Sequence, residues 1–330
     1  MTKLVNEKGL VDFGIYPYPI HEINSEDFLL KTPMGKPRSK FIKKLMVNQF
    51  FFIGITSPGY IAGLAIADLR YVTNGFFYIY DIPNNKLVES SVIKLPSKKR
   101  YITSNPEDFD AQFITDKLAI TMKNGKIHAQ SKEISINVTL DIKERTPLRI
   151  CSKAGYRGWV YTQKTLPVKA EGDIIIDKRK TELDPDKTLV LMDWTKGFMR
   201  RKTFWHWAST ATYLPDGRSF GFNLSCGVNE TSFTENFVMV DGNMTKVDMV
   251  NFSFDEQDLY KTWHITSYDK KINLLFKGKK DRSEKKNLLL ATSNFTQLVG
   301  FFEGSVKLDN GETVEIRECP GWAEDHYAKW

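Results

Sequence analysis

The first half of the chain is a succession of short apolar and aromatic runs that end at turn-forming residues. Examples between positions 51 and 95 are FFIGITS, YIAGLAIADLR, TNGFFYIYDI and KLVESSVIKL. β-Branched and aromatic runs bounded by Gly, Pro, Asn or Asp predict strands, here spaced roughly every 10 to 14 residues as in an antiparallel meander. Further on, Asn124-Gly125 separates two alternating runs and predicts a tight β-hairpin.

The second half shows the same alternation, which places Trp205 and Trp207 on one face of a strand and His206 on the other. Asp241-Gly242 predicts another hairpin. No stretch of twelve residues keeps a helical period with caps at both ends, and Lys40 to Gln49 has the pattern of one or two helical turns. The pattern therefore predicts an all-β, mostly antiparallel protein with few short helices, closed into barrels because open edges of this length aggregate.

The length of 330 residues exceeds what one ordinary core supports and favours two domains of about 150 residues each. The stretch Thr181 to Lys187, TELDPDK, is polar and contains proline, which is typical of a linker. We therefore predict an N-terminal barrel over residues 1–180, preceded by an extended arm, and a C-terminal barrel over residues 186–330.

The charge balance is basic, with a formal net charge of +7. The lysines are scattered through turns such as LPSKKR and KGKKDRSEKK, without an RNA-recognition signature or a recognition helix. A solvated surface is the simpler interpretation, and we expect no nucleic-acid partner. The longest apolar run is interrupted at Ser57-Pro58-Gly59, so no transmembrane segment is expected.

The cysteines Cys151, Cys226 and Cys319 are odd in number and far apart, which argues against a disulfide framework and suits a reducing compartment. The first ten residues, MTKLVNEKGL, have no apolar leader, so a cytoplasmic location is expected. There is no CxxC, HxH or HExxH spacing and no glycine-rich phosphate loop. We therefore predict neither a metal site nor a cofactor.

Candidate chemistry is concentrated between Asp193 and Asn236 and in the last ten residues. Asp193 follows an apolar strand and stands next to Trp194; a partly dried carboxylate there would have a raised pKa and could donate a proton. The alternative is a turn cap that accepts backbone N–H groups. Asp325 and His326 are the other catalytic candidates, because an acid near a histidine can orient it for proton transfer.

The remaining candidates are those expected to line one hydrophobic pocket at the domain interface. The aromatic ones are Trp194, Trp205, Trp207, Phe222 and Trp322. The polar ones, which would bind a polar head group or hold the acid in place, are Arg200, Arg201, Asn223, Asn229, Glu230 and Glu235. Consecutive residues of a strand face opposite sides, so at most one of the two arginines points inward, and a solvated pair is the alternative.

Three long motifs, DWTKGFMRRKTFWHWAS, FNLSCGVNET and GWAEDHYAKW, resemble the uncharacterised family called domain of unknown function 2804. More distantly, GWVYTQKTLPVKAEGDI followed by an acidic and aromatic motif is similar to the hydroxyneurosporene-synthase and AttH-like proteins. That resemblance implies two lipocalin-like (calycin) barrels packed side by side, in a group that includes cofactor-free enzymes acting on apolar polyenes. Asp193 and Gly197 match its acidic motif, whereas Lys196 stands where a second aromatic residue is expected.

The resemblance and the residues together predict binding of an apolar, lipid-like or isoprenoid-like small molecule near the domain interface. They also raise the hypothesis of its cofactor-free acid–base conversion by hydration, isomerisation or cyclisation. The alternative is a non-enzymatic lipid-binding or stress-related scaffold in which the polar cluster only ties the barrels together. The sequence leaves the ligand, the occurrence of a reaction and the oligomeric state open.

Overall fold

The structure, a computed structural model, describes residues 1–143, 145–228, 233–287 and 292–329. This part of the chain consists mainly of antiparallel strands, as the alternation predicts. Its helical elements are a 3₁₀ turn, Ser25–Asp27, and one helix, α1, Lys40–Met46. Helix α1 lies within the stretch predicted to form helical turns, and the side chain of Ser39 caps it by accepting a hydrogen bond from the backbone N–H of Ile42.

Fourteen strands of the described residues form the first antiparallel sheet. They are β1 (Gly14–Ile15), β2 (Asn48–Ser57), β3 (Tyr60–Asp68), β4 (Thr73–Asp81), β5 (Lys86–Lys94), β6 (Arg100–Ile102), β7 (Ala111–Ile114), β8 (Ala119–Lys123), β9 (Lys126–Gln130), β10 (Ile134–Leu140), β11 (Leu148–Ala154), β12 (Gly158–Ile176), β13 (Arg179–Leu183) and β14 (Leu189–Gly197). Their order is β5-β4-β3-β2-β14-β12-β10-β9-β8-β7-β6, with β11 and β13 also on β12 and with β1 on β11. The edge strand β6 approaches β3, so the sheet curls into a barrel.

Nine strands of the described residues form the second sheet. They are β15 (Lys202–Tyr213), β16 (Ser219–Cys226), β17 (Phe237–Val240), β18 (Asn243–Lys246), β19 (Val250–Ser253), β20 (Trp263–Ser267), β21 (Ile272–Asn287), β22 (Thr292–Lys307) and β23 (Thr313–Lys329). Their order is β18-β17-β16-β15-β23-β22-β21-β20-β19, and β19 approaches β16 as this sheet curls in turn. The chain thus forms two lipocalin-like antiparallel barrels packed side by side, as predicted.

The chain passes from the first sheet to the second between Gly197 and Lys202. The polar stretch 181–187, at which the sequence predicts the domain boundary, instead leads from β13 to β14 within the first sheet. Strand β14 pairs with β2 along its whole length, from Leu189 opposite Thr56 to Gly197 opposite Asn48. A polar, proline-containing stretch is as typical of a loop within a sheet as of a linker, so composition alone does not separate the two.

Alternation along each strand decides which residues fill the barrels. In β14, Trp194 points into the first barrel and belongs to its core, whereas Asp193 points outward. In β16, Phe222 belongs to the core of the second barrel, whereas Ser225 points outward. Each barrel therefore has a hydrophobic core of its own and an outer face on which other residues meet.

The outer faces of the two sheets pack against each other through a third cluster of buried side chains. Phe52 of β2 meets Trp207 of β15 and Trp322 of β23 edge-on, with ring centroids 5.6 and 6.1 Å away. Gly54 lies under the same indole: a Cβ at this position would be only 2.6 Å from Cη2 of Trp322. The close approach of the barrels therefore depends on glycine at position 54.

Candidate functional site between the barrels

A cavity of about 160 Å³ lies between the outer faces of the two barrels. Strands β2, β3, β4, β11, β12 and β14 contribute to its wall on one side, and β15, β16, β22 and β23 contribute to it on the other. Its lining is mainly apolar and includes Phe50, Phe52, Ala67, Phe76, Trp205 and Phe295. A cavity of comparable volume holds a molecule of about one aromatic ring.

Lys164 of β12 and Asp193 of β14 form an ion pair at the buried end of this cavity. The two residues are direct partners in the register of their strands, and Nζ of Lys164 is 2.5 Å from Oδ2 of Asp193. The lysine side chain is only 4% exposed and the aspartate side chain 11% exposed. Because both point outward from the first barrel, the pair faces the second barrel.

The second barrel adds a third charge to this pair. Oε1 of Glu235 is 3.5 Å from Nζ of Lys164 and accepts a 2.8 Å hydrogen bond from Oγ of Ser225. On the first barrel, Oγ1 of Thr195 donates to Oδ1 of Asp193 at 3.1 Å. One ammonium group is therefore shared between two carboxylates, one from each barrel; we call Lys164, Asp193 and Glu235 the charge cluster.

Burial and charge together set the protonation of the charge cluster. Burial, followed by the Glu235 carboxylate, raises the pKa of Asp193 and outweighs the Lys164 ammonium, which lowers it. Burial lowers the pKa of Lys164, but the attraction of the two carboxylates outweighs burial and leaves that pKa raised. With both carboxylates ionised the cluster has one net negative charge in a nearly dry place, and one proton bound to Asp193 makes it neutral.

The second barrel contributes another polar group to the cavity wall. Glu324 of β23 accepts hydrogen bonds from Nε1 of Trp205 at 2.7 Å and from Nε2 of Gln297 at 2.8 Å. Two residues later, the ring of His326 packs against Trp205 with centroids 4.1 Å apart. Nε2 of His326 lies 3.1 Å from Oγ of Ser293. This wall thus combines a well-bonded carboxylate with an imidazole that lies against an aromatic ring.

The other end of the cavity reaches the surface, and we call it the mouth. Leu69, Met199 and Val228, which line it, are half-buried. Arg200 is also half-buried there, and its Nη2 donates to the carbonyl of Gly227 at 2.5 Å. The cavity therefore runs from an apolar and cationic opening to a buried charge cluster.

Several of the residues predicted from the sequence to form the site line this one cavity. They are Asp193, Arg200, Trp205, Trp207, Glu235 and His326. Of the two consecutive arginines, which lie in the connection between β14 and β15 and not in a strand, Arg200 lines the mouth and Arg201 is exposed.

The other predicted residues lie elsewhere. Trp194 and Phe222 point into the two barrel cores. Trp322 and Asn223 lie in the packed interface beside the cavity, where Oδ1 of Asn223 accepts a 2.8 Å hydrogen bond from Nε1 of Trp207. Asp325 does not line the cavity, and its Oδ1 is 3.2 Å from Nδ1 of His206. Asn229 and Glu230 lie outside the described residues.

Sequence reasoning missed Lys164, Ser225, Gln297 and Glu324. The strongest of the missed signals belongs to Lys164. Strand alternation places it on the same face as Val160, Thr162 and Leu166, which are all uncharged. The sequence therefore shows a single lysine on an otherwise uncharged strand face. Such a lysine is rarely buried without a carboxylate partner, and this one has two.

The described part of the chain offers few other groups that could bind a metal or react. Cys151, Cys226 and Cys319 are free thiols. Within residues 1–143, 145–228, 233–287 and 292–329, no cluster of three or more His, Cys, Asp or Glu side chains could hold a metal ion. The same ranges contain no helix with the length and apolar character needed to cross a membrane.

Comparison with known proteins defines the class. The family described as Domain of unknown function (DUF2804) matches residues 1–330, so the chain belongs to that family. This confirms the resemblance seen in the three motifs. No curated protein matches the chain.

Two solved structures share the fold. A protein assigned to AttH from Nitrosomonas europaea is 11% identical with a TM-score of 0.50, over 85% of this chain and 92% of its own. Kievitone hydratase from Nectria haematococca is 12% identical with a TM-score of 0.51, over 86% of this chain and 88% of its own. The likeness is one of fold, and it agrees with the AttH-like two-barrel architecture predicted from the sequence.

Proposed function

We propose that this protein binds an apolar small molecule in the cavity between the barrels and converts it by proton transfer, without a cofactor. The observation that carries the proposal is a mostly apolar cavity with the charge cluster at its buried end. Ligand pockets typically combine apolar walls with a few placed polar groups, and a carboxyl group with a perturbed pKa is a frequent acid or base. Hydration, isomerisation and cyclisation are the reaction classes that such a group serves.

Asp193 is the proton donor in this proposal. Its raised pKa favours the protonated form, and the Lys164 ammonium stabilises the carboxylate that remains after the proton leaves. In a hydration, the proton goes to one carbon of a double bond. Water then adds to the other carbon and returns a proton to the carboxylate. One positioned acid contributes about 10²–10⁴ in rate.

The walls suit such a reaction. Positive charge that develops on the ligand would lie among the aromatic rings of Phe52, Trp205 and Trp207, whose faces attract cations. The structural neighbour named as a kievitone hydratase supports this class of reaction, by analogy of fold alone.

A second candidate is a non-enzymatic lipid-binding or stress-related scaffold, and contacts across the interface favour it. The pair Lys164 and Glu235 joins the two barrels, and the hydroxyl of Tyr78 donates to Oε1 of Gln297 across the same interface at 2.5 Å. In a scaffold, these polar contacts would hold the barrels together and the cavity would bind without converting its ligand.

Asp193→Asn separates the two candidates. The apolar molecule is extracted from the purified protein and incubated with each variant in ²H₂O, and its mass and deuterium content are measured. If the protein is an enzyme, the wild type should introduce deuterium or the elements of water into the ligand. Asp193→Asn should bind the ligand but leave it unconverted. The matched control is Asp173→Asn, which removes another lysine-paired carboxylate of the first barrel outside the cavity. Lower stability of Asp193→Asn without conversion by any variant would favour the scaffold.

A further inference from the structure

The segment 31–46, which contains helix α1, carries six basic residues and no acidic ones. The basic residues of the segment 31–46 are Lys31, Lys36, Arg38, Lys40, Lys43 and Lys44. No aspartate or glutamate occurs between Asp27 and Asp68. The segment is therefore strongly cationic, whereas charges of both signs are interspersed over much of the remaining chain.

Large apolar side chains are exposed in the same segment. Met34 is 87% exposed, Phe41 69% and Leu45 41%. Phe41 and Leu45 are four residues apart and share one face of α1, and Lys40 and Lys44 form the neighbouring stripe. An apolar stripe bordered by lysines is typical of helices that lie in the surface of a membrane.

The opposite side of α1 is fixed to the protein. Nζ of Lys43 donates to the carbonyls of Glu26 and Phe28, the latter at 3.0 Å, and Ile42 is half-buried. The stripe of Phe41 and Leu45 therefore points away from the rest of the molecule.

Helix α1 ends next to the mouth of the cavity. Met46 is followed by Val47 and then by Asn48, which lines the cavity. Nε of Arg70 donates to the carbonyl of Val47 at 3.3 Å, and its neighbour Leu69 lines the mouth. A surface that α1 touches is consequently close to the opening through which a ligand enters.

We propose that segment 31–46 is a docking surface for an anionic lipid bilayer. Met34, Phe41 and Leu45 enter the headgroup region, and the surrounding lysines meet the anionic headgroups. A nucleic acid would contact the lysines but would leave the apolar stripe of α1 exposed to solvent. The combination of lysines and exposed apolar side chains therefore favours lipid. The inference does not depend on the function proposed for the cavity, because docking is measured without reference to any reaction.

Sedimentation of the full chain with lipid vesicles tests the proposal. The wild type should bind vesicles of phosphatidylcholine mixed with phosphatidylserine, bind phosphatidylcholine alone far more weakly, and dissociate as salt is raised. A basic residue near such a surface contributes roughly fivefold in binding, so Lys40→Glu/Lys44→Glu should weaken it by at least about 25-fold. Phe41→Ser/Leu45→Ser should weaken it as well.

The control variant is Lys279→Glu/Lys285→Glu, which makes the same change in net charge at exposed positions of β21. It should bind as the wild type does. Absence of binding to the mixed vesicles would overturn the proposal, as would an equal loss in the control. Undiminished binding by Phe41→Ser/Leu45→Ser would also overturn it and would identify a general polyanion surface. The unfolding temperature of each variant shows that the exposed substitutions leave the fold intact.

Discussion

Lys164 and Asp193 are partners across two adjacent strands of the first barrel, and both side chains leave that barrel toward the second one. Neither belongs to a barrel core, and the second barrel completes their charge balance with Glu235. The site therefore exists because the barrels meet through their outer faces, which brings a buried charge cluster and aromatic walls into one space.

Removal of the lysine should destabilise the fold strongly. Lys164→Met leaves two buried carboxylates without their shared cation, for which a loss of about 3–5 kcal/mol in the free energy of unfolding is expected. Urea unfolding measures it. Lys180→Met is the matched control, since that lysine pairs with Asp173 and Glu182 in solvent and should be nearly dispensable. Similar small losses in both variants would contradict a stabilising role of the Lys164 ammonium in the charge cluster.

The stability of the wild type should depend on pH through Asp193. A raised pKa means that the folded protein holds this proton more tightly than the unfolded chain does. The resulting stabilisation is fully present below the ordinary value of 3.8 and is lost as the pH rises through the raised value. Asp193→Asn resembles the protonated form, so the wild type should lose stability relative to this variant over that interval. Urea unfolding of both at several pH values checks this, and parallel pH profiles would show that the pKa is not raised.

The interface should not tolerate a methyl group at position 54. In Gly54→Ala the new Cβ meets the indole of Trp322, and overpacking of this kind costs about 1–3 kcal/mol in the free energy of unfolding. Trp322→Leu removes the clash, so the double variant should be less destabilised than the sum of the two single variants. Thermal or urea unfolding of all four proteins gives the coupling, and strict additivity would mean that the two residues do not meet.

Much of the fold was predictable because its signals are local. Asn124-Gly125 turns β8 into β9, and both residues have positive φ, 51° and 75°, which is the requirement that makes this pair a hairpin signal. Asp241-Gly242 turns β17 into β18 in the same way. The stretch 181–187 contains no local signal of this kind. Strand β14, which follows it, belongs to the first sheet because it pairs with β2, and β2 is distant in the sequence.

The site was predictable only in part, because the amino-acid sequence does not show which residues of two strands lie opposite each other. Alternation alone separates Asp193 from Trp194, and His326 from Asp325, since neighbours in a strand face opposite sides. It does not reveal that Lys164 stands opposite Asp193, which depends on the register between β12 and β14. Nor does it show which face of each barrel meets the other.

Native mass spectrometry of the purified protein tests most directly whether the space between the barrels holds an apolar ligand. Ala67 lines the cavity and is half-buried, so Ala67→Phe would fill part of it, and Ala67→Ser leaves it open as the matched control. We expect a bound molecule, extractable into organic solvent, in the wild type and in Ala67→Ser, and its loss from a folded Ala67→Phe. Wild-type protein that carries no such molecule, or an Ala67→Phe variant that retains it, would contradict a ligand in this cavity.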